Sequence, residues 1–159
     1  MSVLLFRVDE RLIHGQVVVG WARRLHPRRI IVVDDDVAAN PNEQSIYRTG
    51  LPEGIRADFW SEREAVSQLP AVAESGEPSF VLTVDLRTMA LLARHGMPID
   101  EINVGCLQRA AGRHPVLPYV CLDATDEQLI EELEGRGVRV VARDVPTGAA
   151  VRLGTRARK

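Results

Sequence analysis

The chain has 159 residues, a formal net charge of −2 at pH 7 and a sequence pI of about 6.1, values that fit one domain and argue against general nucleic-acid binding. No apolar run reaches the roughly 18 residues that a membrane-spanning helix needs, and the first residues lack a secretory signal pattern. We therefore expect a cytosolic protein whose two cysteines, Cys106 and Cys121, are reduced. Lys159 is the only lysine, so any phosphate must be bound by arginine or backbone groups.

Strand and helix patterns alternate along the chain. Apolar runs typical of buried strands occupy residues 2–8, 29–33, 56–60, 78–84, 99–104, 116–122 and 138–142. Segments with apolar residues at helical spacing separate most of these runs. The helix starts are marked by the loop before Val17, by Asn40-Pro41, by a capping box at Ser61, by Leu86 and by a second capping box at Thr125.

This alternation predicts an α/β fold, with a mostly parallel central sheet of about seven strands covered by helices on both faces. We expect a single-domain three-layer sandwich over residues 1–159, in which the basic segment 152–159 forms a loose terminus. Ligands of such sheets bind at the carboxyl ends of the strands. The polar residues that follow predicted strands are Asp9, Arg11, His14, Asp34, Asp35, Asp36, Asp85 and Asn103.

His14 is the candidate nucleophile among the four histidines of the chain. His26 and His114 each precede a proline and His95 precedes a glycine, so these three are typical of turns and caps. By contrast, a predicted helix begins at His14, and an imidazole in such a position can act as a nucleophile that carries a phosphoryl group. We therefore expect His14 to hold a phosphoryl group in transit.

The residues around His14 suit an anion. Gly15 and Gln16 lie where the first N–H groups of a helix, which lack intrahelical partners, attract negative charge. Arg11 could pair with phosphoryl oxygens in a forked geometry, and Asp9 could orient Arg11 or the imidazole. Because phosphoryl transfer depends mainly on positioning and charge stabilisation, this set suits that chemistry. The alternative for Asp9 and Arg11 is a surface ion pair.

The acidic triplet Asp34-Asp35-Asp36 supports a rival interpretation. Asp34 and Asp36 form an Asp-x-Asp pattern at a strand end, which suits Mg²⁺-dependent phosphoryl transfer to an aspartate. No Gly-x-Gly-x-x-Gly follows a predicted strand and no Walker-type loop occurs, so dinucleotide and nucleoside-triphosphate binding lack support.

The stretch Arg7-Val-Asp-Glu-Arg-Leu-Ile-His14-Gly-Gln-Val, followed by Trp21, resembles the signature of the enzyme IIB component of the mannose/fructose/sorbose family of the sugar phosphotransferase system (PTS). Collinear blocks that support this resemblance are Ile30-Ile-Val-Val-Asp-Asp-Asp-Val-Ala-Ala-Asn40, Pro52-Glu-Gly54, Ile102-Asn-Val-Gly105 and Val145-Pro146. Together the blocks cover almost the full length.

The resemblance implies a cytoplasmic phosphocarrier that associates peripherally with a membrane permease. His14 would accept a phosphoryl group, as N(pi)-phosphohistidine, from a phosphorylated IIA protein and transfer it to a sugar held by membrane IIC and IID subunits. No metal, organic cofactor or nucleic acid is implied, and homodimerisation is compatible with the family. The phosphoryl-binding or orienting candidates are Arg11, Asp9, Gly15 and Gln16, with Asp35 and Asn103 as further candidates.

The chain also departs from the family pattern. Glu10 stands where a second aspartate is usual, and Val84-Asp85-Leu86 stands where many relatives have a basic residue and Thr-Pro. The second departure leaves an alternative open, in which the protein is a regulatory binding module of an incomplete PTS and phosphorylation only controls docking to a partner.

Overall fold

The computed structural model describes residues 2–154. Its strands are β1 (Val3–Asp9), β2 (Arg29–Val33), β3 (Arg56–Trp60), β4 (Ser79–Thr83), β5 (Glu101–Cys106), β6 (His114–Leu117), β7 (Val120–Leu122), β8 (Arg139–Ala142) and β9 (Val151–Arg152). Its helices are α1, which combines a π-helical segment (Gln16–Trp21) with an α-helical turn (Ala22–Leu25), α2 (Asp35–Ala38), α3 (Pro41–Thr49), α4 (Glu62–Glu74), α5 (Leu86–Arg94) and α6 (Ala124–Gly135). In this part of the chain, none of the helices combines the length and apolar character needed to cross a membrane.

Seven strands form the central sheet, in the order β3-β2-β4-β1-β5-β8-β9. All neighbouring pairs are parallel except β8 and β9, which are antiparallel. Strand β1 occupies the middle of the sheet between β4 and β5. The carboxyl end of β1 is therefore enclosed by neighbours on both sides, which makes it the natural place for a binding site in a sheet of this type.

The core is divided by the sheet into two apolar layers, because successive side chains of a strand point to opposite faces. In β2, Ile31 and Val33 pack with α4, α5 and α6, whereas Ile30 and Val32 pack with α1, α2 and α3. All four side chains are fully buried, as expected for a parallel strand covered on both faces. The predicted three-layer α/β sandwich is confirmed.

The predicted strand at 116–122 is wrong in one respect. This segment runs from the end of β6, through a turn at Pro118 and Tyr119, to the end of β7, and β6 and β7 form a separate antiparallel hairpin. The seventh strand of the central sheet is instead β9, in which Arg152 pairs with Val141. Arg152 also contacts Glu134, with 2.9 Å between the guanidinium and carboxylate atoms, so the predicted loose segment begins later than residue 152. Residues 155–159 of that segment lie outside the described residues.

Side-chain oxygens cap the starts of five helices, each accepting the backbone N–H of the residue three positions later. The cap predicted at Asn40 is confirmed. Of the capping box predicted at Ser61, the structure contains one hydrogen bond, in which the Ser61 side chain accepts the backbone N–H of Glu64. The capping box predicted at Thr125 is wrong, because α6 begins two residues earlier. Asp123 and Asp126 form a reciprocal capping box there, each accepting the other's backbone N–H. Strand β7 ends at Leu122, so the chain turns into α6 at Asp123. The motif that begins at Asp123 therefore caps the helix, and the overlapping motif that begins at Thr125 lies inside it.

Replacing Asp123 with alanine should destabilise the protein by about 1 kcal/mol, because the first turn of α6 loses the side chain that caps it. In a chain of this size that cost corresponds to a decrease in Tm of about 2–4 °C, measurable by thermal unfolding. The matched control is Thr125→Ala, which removes an exposed side chain and should leave the Tm within about 1 °C. An equal effect of both substitutions would contradict the assignment of the cap.

Candidate active site

His14 lies in the connection between β1 and α1, where Leu12 and Ile13 anchor the loop. Both side chains are buried in the apolar layer beneath α1, and Leu12 holds a left-handed backbone conformation with φ 54°. A branched apolar residue rarely adopts this conformation unless its surroundings enforce it. Burial of these two residues turns the neighbouring polar side chains outward, and the side chain of His14 is 17% exposed.

Asp9, the last residue of β1, is a fully buried carboxylate that accepts five hydrogen bonds. Its Oδ1 accepts from the backbone N and the Nε of Arg11, each at 3.0 Å. Its Oδ2 contacts Nη2 of Arg11 at 3.0 Å, Nη2 of Arg7 at 3.1 Å and Nε2 of His14 at 3.1 Å. Burial by itself would raise the pKa of Asp9, but the hydrogen bonds from His14 and Arg11 and the charge of Arg7 lower it well below the ordinary range. Asp9 is therefore ionised and can only accept.

Arg7 is a fully buried cation that contacts Asp9 and three further acceptors next to the site. Its guanidinium donates to Asp9, to the side-chain oxygen of Asn103, to the carbonyl of Arg143 at 2.9 Å and to the carbonyl of Asp144 at 3.0 Å. Burial lowers the pKa of Arg7, and the neighbouring charge of Asp9 opposes that shift. Sequence reasoning missed this role, although an arginine inside an otherwise apolar strand is a signal of a paired buried charge.

Gly105 in β5 leaves the space that the Arg7–Asp9 pair occupies. A Cβ atom at this position would overlap the guanidinium of Arg7 and lie 2.6 Å from Oδ2 of Asp9. Any side chain larger than hydrogen would therefore push apart a buried ion pair. The Ile102-Asn-Val-Gly105 block thus serves the site through Asn103, which contacts Arg7 rather than His14, and through the absence of a side chain at Gly105.

The two ring nitrogens of His14 have opposite partners. Nε2 faces the ionised carboxylate of Asp9 at 3.1 Å, so Nε2 must carry the proton. Nδ1 faces the backbone N–H of Gln16 at 3.3 Å, and since an N–H can only donate, Nδ1 must present its lone pair. These partners assign the tautomer of a neutral ring. The arrangement leaves Nδ1 as the nucleophilic atom.

The helix start differs slightly from the sequence prediction. The helix begins at Gln16 rather than at His14, with Gly15 as the flanking residue, and its first segment is π-helical. The carbonyl of His14 still accepts the N–H of Val18 at 2.9 Å. The backbone N–H of Gln16, in the first turn, faces the imidazole, and π-helical turns recur at functional sites.

The acidic triplet after β2 lies away from His14. Strand β4 separates β2 from β1, which corresponds to about 10 Å between the two strand ends. Asp34 caps α2 through the N–H of Val37 at 3.0 Å, and Asp35 accepts the N–H of Glu62 at 2.8 Å. In the structure these carboxylates therefore contact helix starts, and Asp35 is not brought together with the other predicted site residues.

Asp144, in the loop after β8, is a site residue that sequence reasoning missed. Its Oδ1 lies 3.6 Å from Nη2 of Arg11, and its Oδ2 accepts from Nε2 of Gln16 at 3.3 Å. Only the neighbouring Val145-Pro146 was singled out in the sequence. No local pattern could have placed this carboxylate beside a histidine 130 positions earlier in the chain, because only the packing of β8 against β5 brings the two segments together.

Comparison with known proteins assigns the family. The family model of the PTS system sorbose subfamily IIB component matches residues 3–155. The chain is 32% identical over 152 residues to the N-acetylgalactosamine-specific phosphotransferase enzyme IIB component 2 of Escherichia coli (strain K12), covering 96% of each chain. The chain therefore belongs to the IIB components of the PTS. Within that system its family is the mannose/fructose/sorbose family, as the sequence resemblance indicated.

Solved structures agree with this assignment. The IIBSor domain of the sorbose permease from Klebsiella pneumoniae superimposes with a TM-score of 0.88 at 30% identity, over 95% of this chain and 93% of that chain. An N-acetyl-galactosamine IIB component from Streptococcus pyogenes gives a TM-score of 0.87 at 29% identity, over 94% and 91% of the two chains. The mannose-specific EIIAB component of Escherichia coli is 29% identical over 96% of this chain, which corresponds to 47% of that protein.

Replacing Asp9 with asparagine should lower the free energy of unfolding at pH 7 by about 3–5 kcal/mol, because it leaves Arg7 buried without its anion. The difference in the free energy of unfolding between this variant and the wild type should become smaller as the pH falls below about 4. The pKa of Asp9 is lowered in the folded protein, so its stabilisation is present above the ordinary pKa and is lost at lower pH, where the unfolded chain takes up a proton. Urea unfolding between pH 3 and 7 measures both effects.

The control for this pH series is Asp58→Asn, which removes a carboxylate that is 32% exposed and paired with Arg29. A partly exposed ion pair contributes up to about 1 kcal/mol, so this variant should stay near wild type. A pH-independent deficit for Asp9→Asn would show that the folded and unfolded states bind the Asp9 proton equally.

Proposed function

We propose that the protein is a phosphocarrier that accepts a phosphoryl group on Nδ1 of His14 from a phosphorylated IIA protein and transfers it to a sugar bound by membrane IIC and IID subunits. The observation that carries this proposal is the opposite roles of the two ring nitrogens. Asp9 holds the proton on Nε2 at 3.1 Å, and Nδ1 is left with its lone pair beside a backbone N–H. The protein would act at the cytoplasmic side of the permease, without a cofactor.

Acceptance of the group forms one bond and breaks one bond. The Nδ1 lone pair of His14 attacks the phosphorus, the P–N bond of the donor phosphohistidine breaks, and its electron pair returns to the donor ring. The proton on Nε2 stays in place, so the phosphorylated ring becomes cationic. The ionised Asp9 then stabilises that positive charge, in the way that a buried carboxylate stabilises an imidazolium in other histidine-dependent enzymes.

Arg11 and the helix start supply positive potential for the phosphoryl oxygens. Arg11 binds Asp9 through Nε and Nη2, which orients the guanidinium and leaves its Nη1 without a hydrogen-bond partner among residues 2–154. The hydrogen bonds to Asp9 raise the pKa of Arg11, so it remains charged. Together with the N–H groups of Gly15 and Gln16, this cation favours the charge that spreads over the oxygens in a loose transition state.

Onward transfer reverses the chemistry at His14. The Nδ1–P bond breaks, its electron pair returns to the imidazole, and the phosphorus bonds to a sugar hydroxyl oxygen whose proton passes to a base on the permease. The ring returns to the neutral tautomer that Asp9 selects, ready for another cycle. The relatives with 27–32% identity are named for N-acetylgalactosamine, sorbose, mannose and fructose, so their names do not indicate one sugar for this chain.

Incubation with a phosphorylated IIA protein should label the chain with one phosphoryl group that is labile in acid and stable in base, as expected for phosphohistidine. His14→Ala should abolish the label, because it removes the ring nitrogen that would carry the phosphoryl group. The matched control is His95→Ala, which removes an exposed histidine at the end of α5 and should label normally. Labelling of the His14→Ala variant would move the phosphorylation site elsewhere.

A second assay separates transport from the regulatory alternative. Membranes that contain IIC and IID subunits are added to the labelled protein together with a candidate sugar. Loss of label from the protein with formation of sugar phosphate is the expected result. A stable label that no tested sugar discharges would favour a regulatory binding module.

A further inference from the structure

Asp144 places a second carboxylate against Arg11 and Gln16, which flank His14 in the chain, and two hydrogen bonds hold its backbone carbonyl. The carbonyl of Asp144 accepts from Nη2 of Arg7 at 3.0 Å and from the indole Nε1 of Trp21 at 3.3 Å. Arg7 and Trp21 of α1 thus fix the position of the Asp144 backbone. Its carboxylate, with the side chain 34% exposed, projects towards Arg11 and Gln16.

The carboxylate of Asp144 is incompletely paired. Oδ2 accepts from Gln16 at 3.3 Å, but Oδ1 is buried and, within residues 2–154, has no hydrogen-bond partner. The 3.6 Å between this Oδ1 and Nη2 of Arg11 is an ion-pair distance that is too long for a hydrogen bond. Asp9, by comparison, accepts five hydrogen bonds. A buried carboxylate oxygen without a donor is unfavourable, so Asp144 is held less tightly than Asp9.

A phosphoryl group on Nδ1 of His14 would need the same donors that Asp144 now faces. Both donors adjoin the histidine, since Arg11 shares Oδ2 of Asp9 with the ring and the backbone N–H of Gln16 faces Nδ1. Both also face Asp144. In the unphosphorylated site two arginines, Arg7 and Arg11, balance the charges of Asp9 and Asp144. Because a phosphoryl group adds more negative charge than the ring gains in positive charge, Asp144 and the phosphoryl oxygens would compete and repel.

We propose that Asp144 is an anionic stand-in for the phosphoryl group. In the unphosphorylated protein the carboxylate of Asp144 keeps Arg11 and Gln16 close to His14. After phosphorylation the same carboxylate competes with the phosphoryl group for those donors, which makes loss of the phosphoryl group more favourable. This inference rests on the proposed phosphorylation of His14. Asp144 is thereby a positioning residue, which acts on the reacting atoms through Arg11 and Gln16.

The test is Asp144→Asn, which removes the charge and keeps the size of the side chain. Phosphoryl exchange with the IIA protein should shift about tenfold towards the phosphorylated chain, and the isolated phosphorylated protein should lose its label about tenfold more slowly at pH 7. The control is Asp100→Asn, an exposed aspartate before β5 at the opposite edge of the sheet, which should leave both quantities unchanged. A purely structural role of Asp144 would move the Tm and neither of these quantities.

A measurement without any donor protein separates this inference from the proposed function. Inorganic phosphate is titrated into the unphosphorylated protein while tryptophan fluorescence is followed in a Trp60→Phe background, in which the signal comes from Trp21, a residue that contacts Asp144. Asp144→Asn should bind phosphate about tenfold more tightly than wild type. If asparagine disturbs folding, Asp144→Ser removes the same charge while the backbone carbonyl remains available to Arg7.

Two results would overturn the inference. One is equal exchange, label lifetime and phosphate affinity in Asp144→Asn and wild type. The other is a shorter label lifetime in the variant, which would mean that Asp144 stabilises the phosphoryl group. If the wild-type chain carries no label at His14 while the variant still binds phosphate more tightly, the proposed function fails and the anion-competing role of Asp144 stands.

Discussion

The buried ion pair between Arg7 and Asp9 is the interaction on which the rest of the site depends. Two charges removed from water are stable only when hydrogen bonds satisfy their remaining atoms. Asp9 meets this requirement by binding Arg11 and His14. Both terminal nitrogens of Arg7 are satisfied by Asn103, Asp9 and carbonyls of the loop after β8, whereas its Nε has no hydrogen-bond partner within residues 2–154. The need to satisfy the pair therefore orients the histidine and joins three separate segments of the chain.

The parallel sheet allows these segments to meet. Strand β5 pairs with both β1 and β8, so the carboxyl ends of all three reach the same edge. Gly105 in β5 leaves room for the buried pair, and the loop after β8 covers it with carbonyl acceptors. The acidic triplet follows β2, which lies on the other side of β4. The order of the strands, more than the presence of acidic residues, thus determines which polar groups share a site.

The two carboxylates of the site differ in how fully they are paired, and this difference suits a carrier. Asp9 accepts five hydrogen bonds and holds the imidazole proton on Nε2, which leaves Nδ1 with its lone pair. Asp144 faces Arg11 and Gln16 with one oxygen unpaired, so a stronger anion can compete for its donors. In the proposed mechanism one aspartate prepares the ring to receive a phosphoryl group, and the other keeps the acquired group from being held too tightly.

The sequence by itself determined the elements and the local part of the site. Apolar periodicity and caps act over a few residues, so the strands at 29–33 and 56–60 and the grouping of Asp9, Arg11 and His14 could be predicted. The partners of a strand depend on contacts between distant segments, so the apolar run at 116–122 could not be assigned to a hairpin outside the central sheet. The roles of Gly105 and Asp144, and the contacts of Arg7 with Asn103 and with the loop after β8, likewise required the tertiary structure, because they join residues that only the packed sheet brings together.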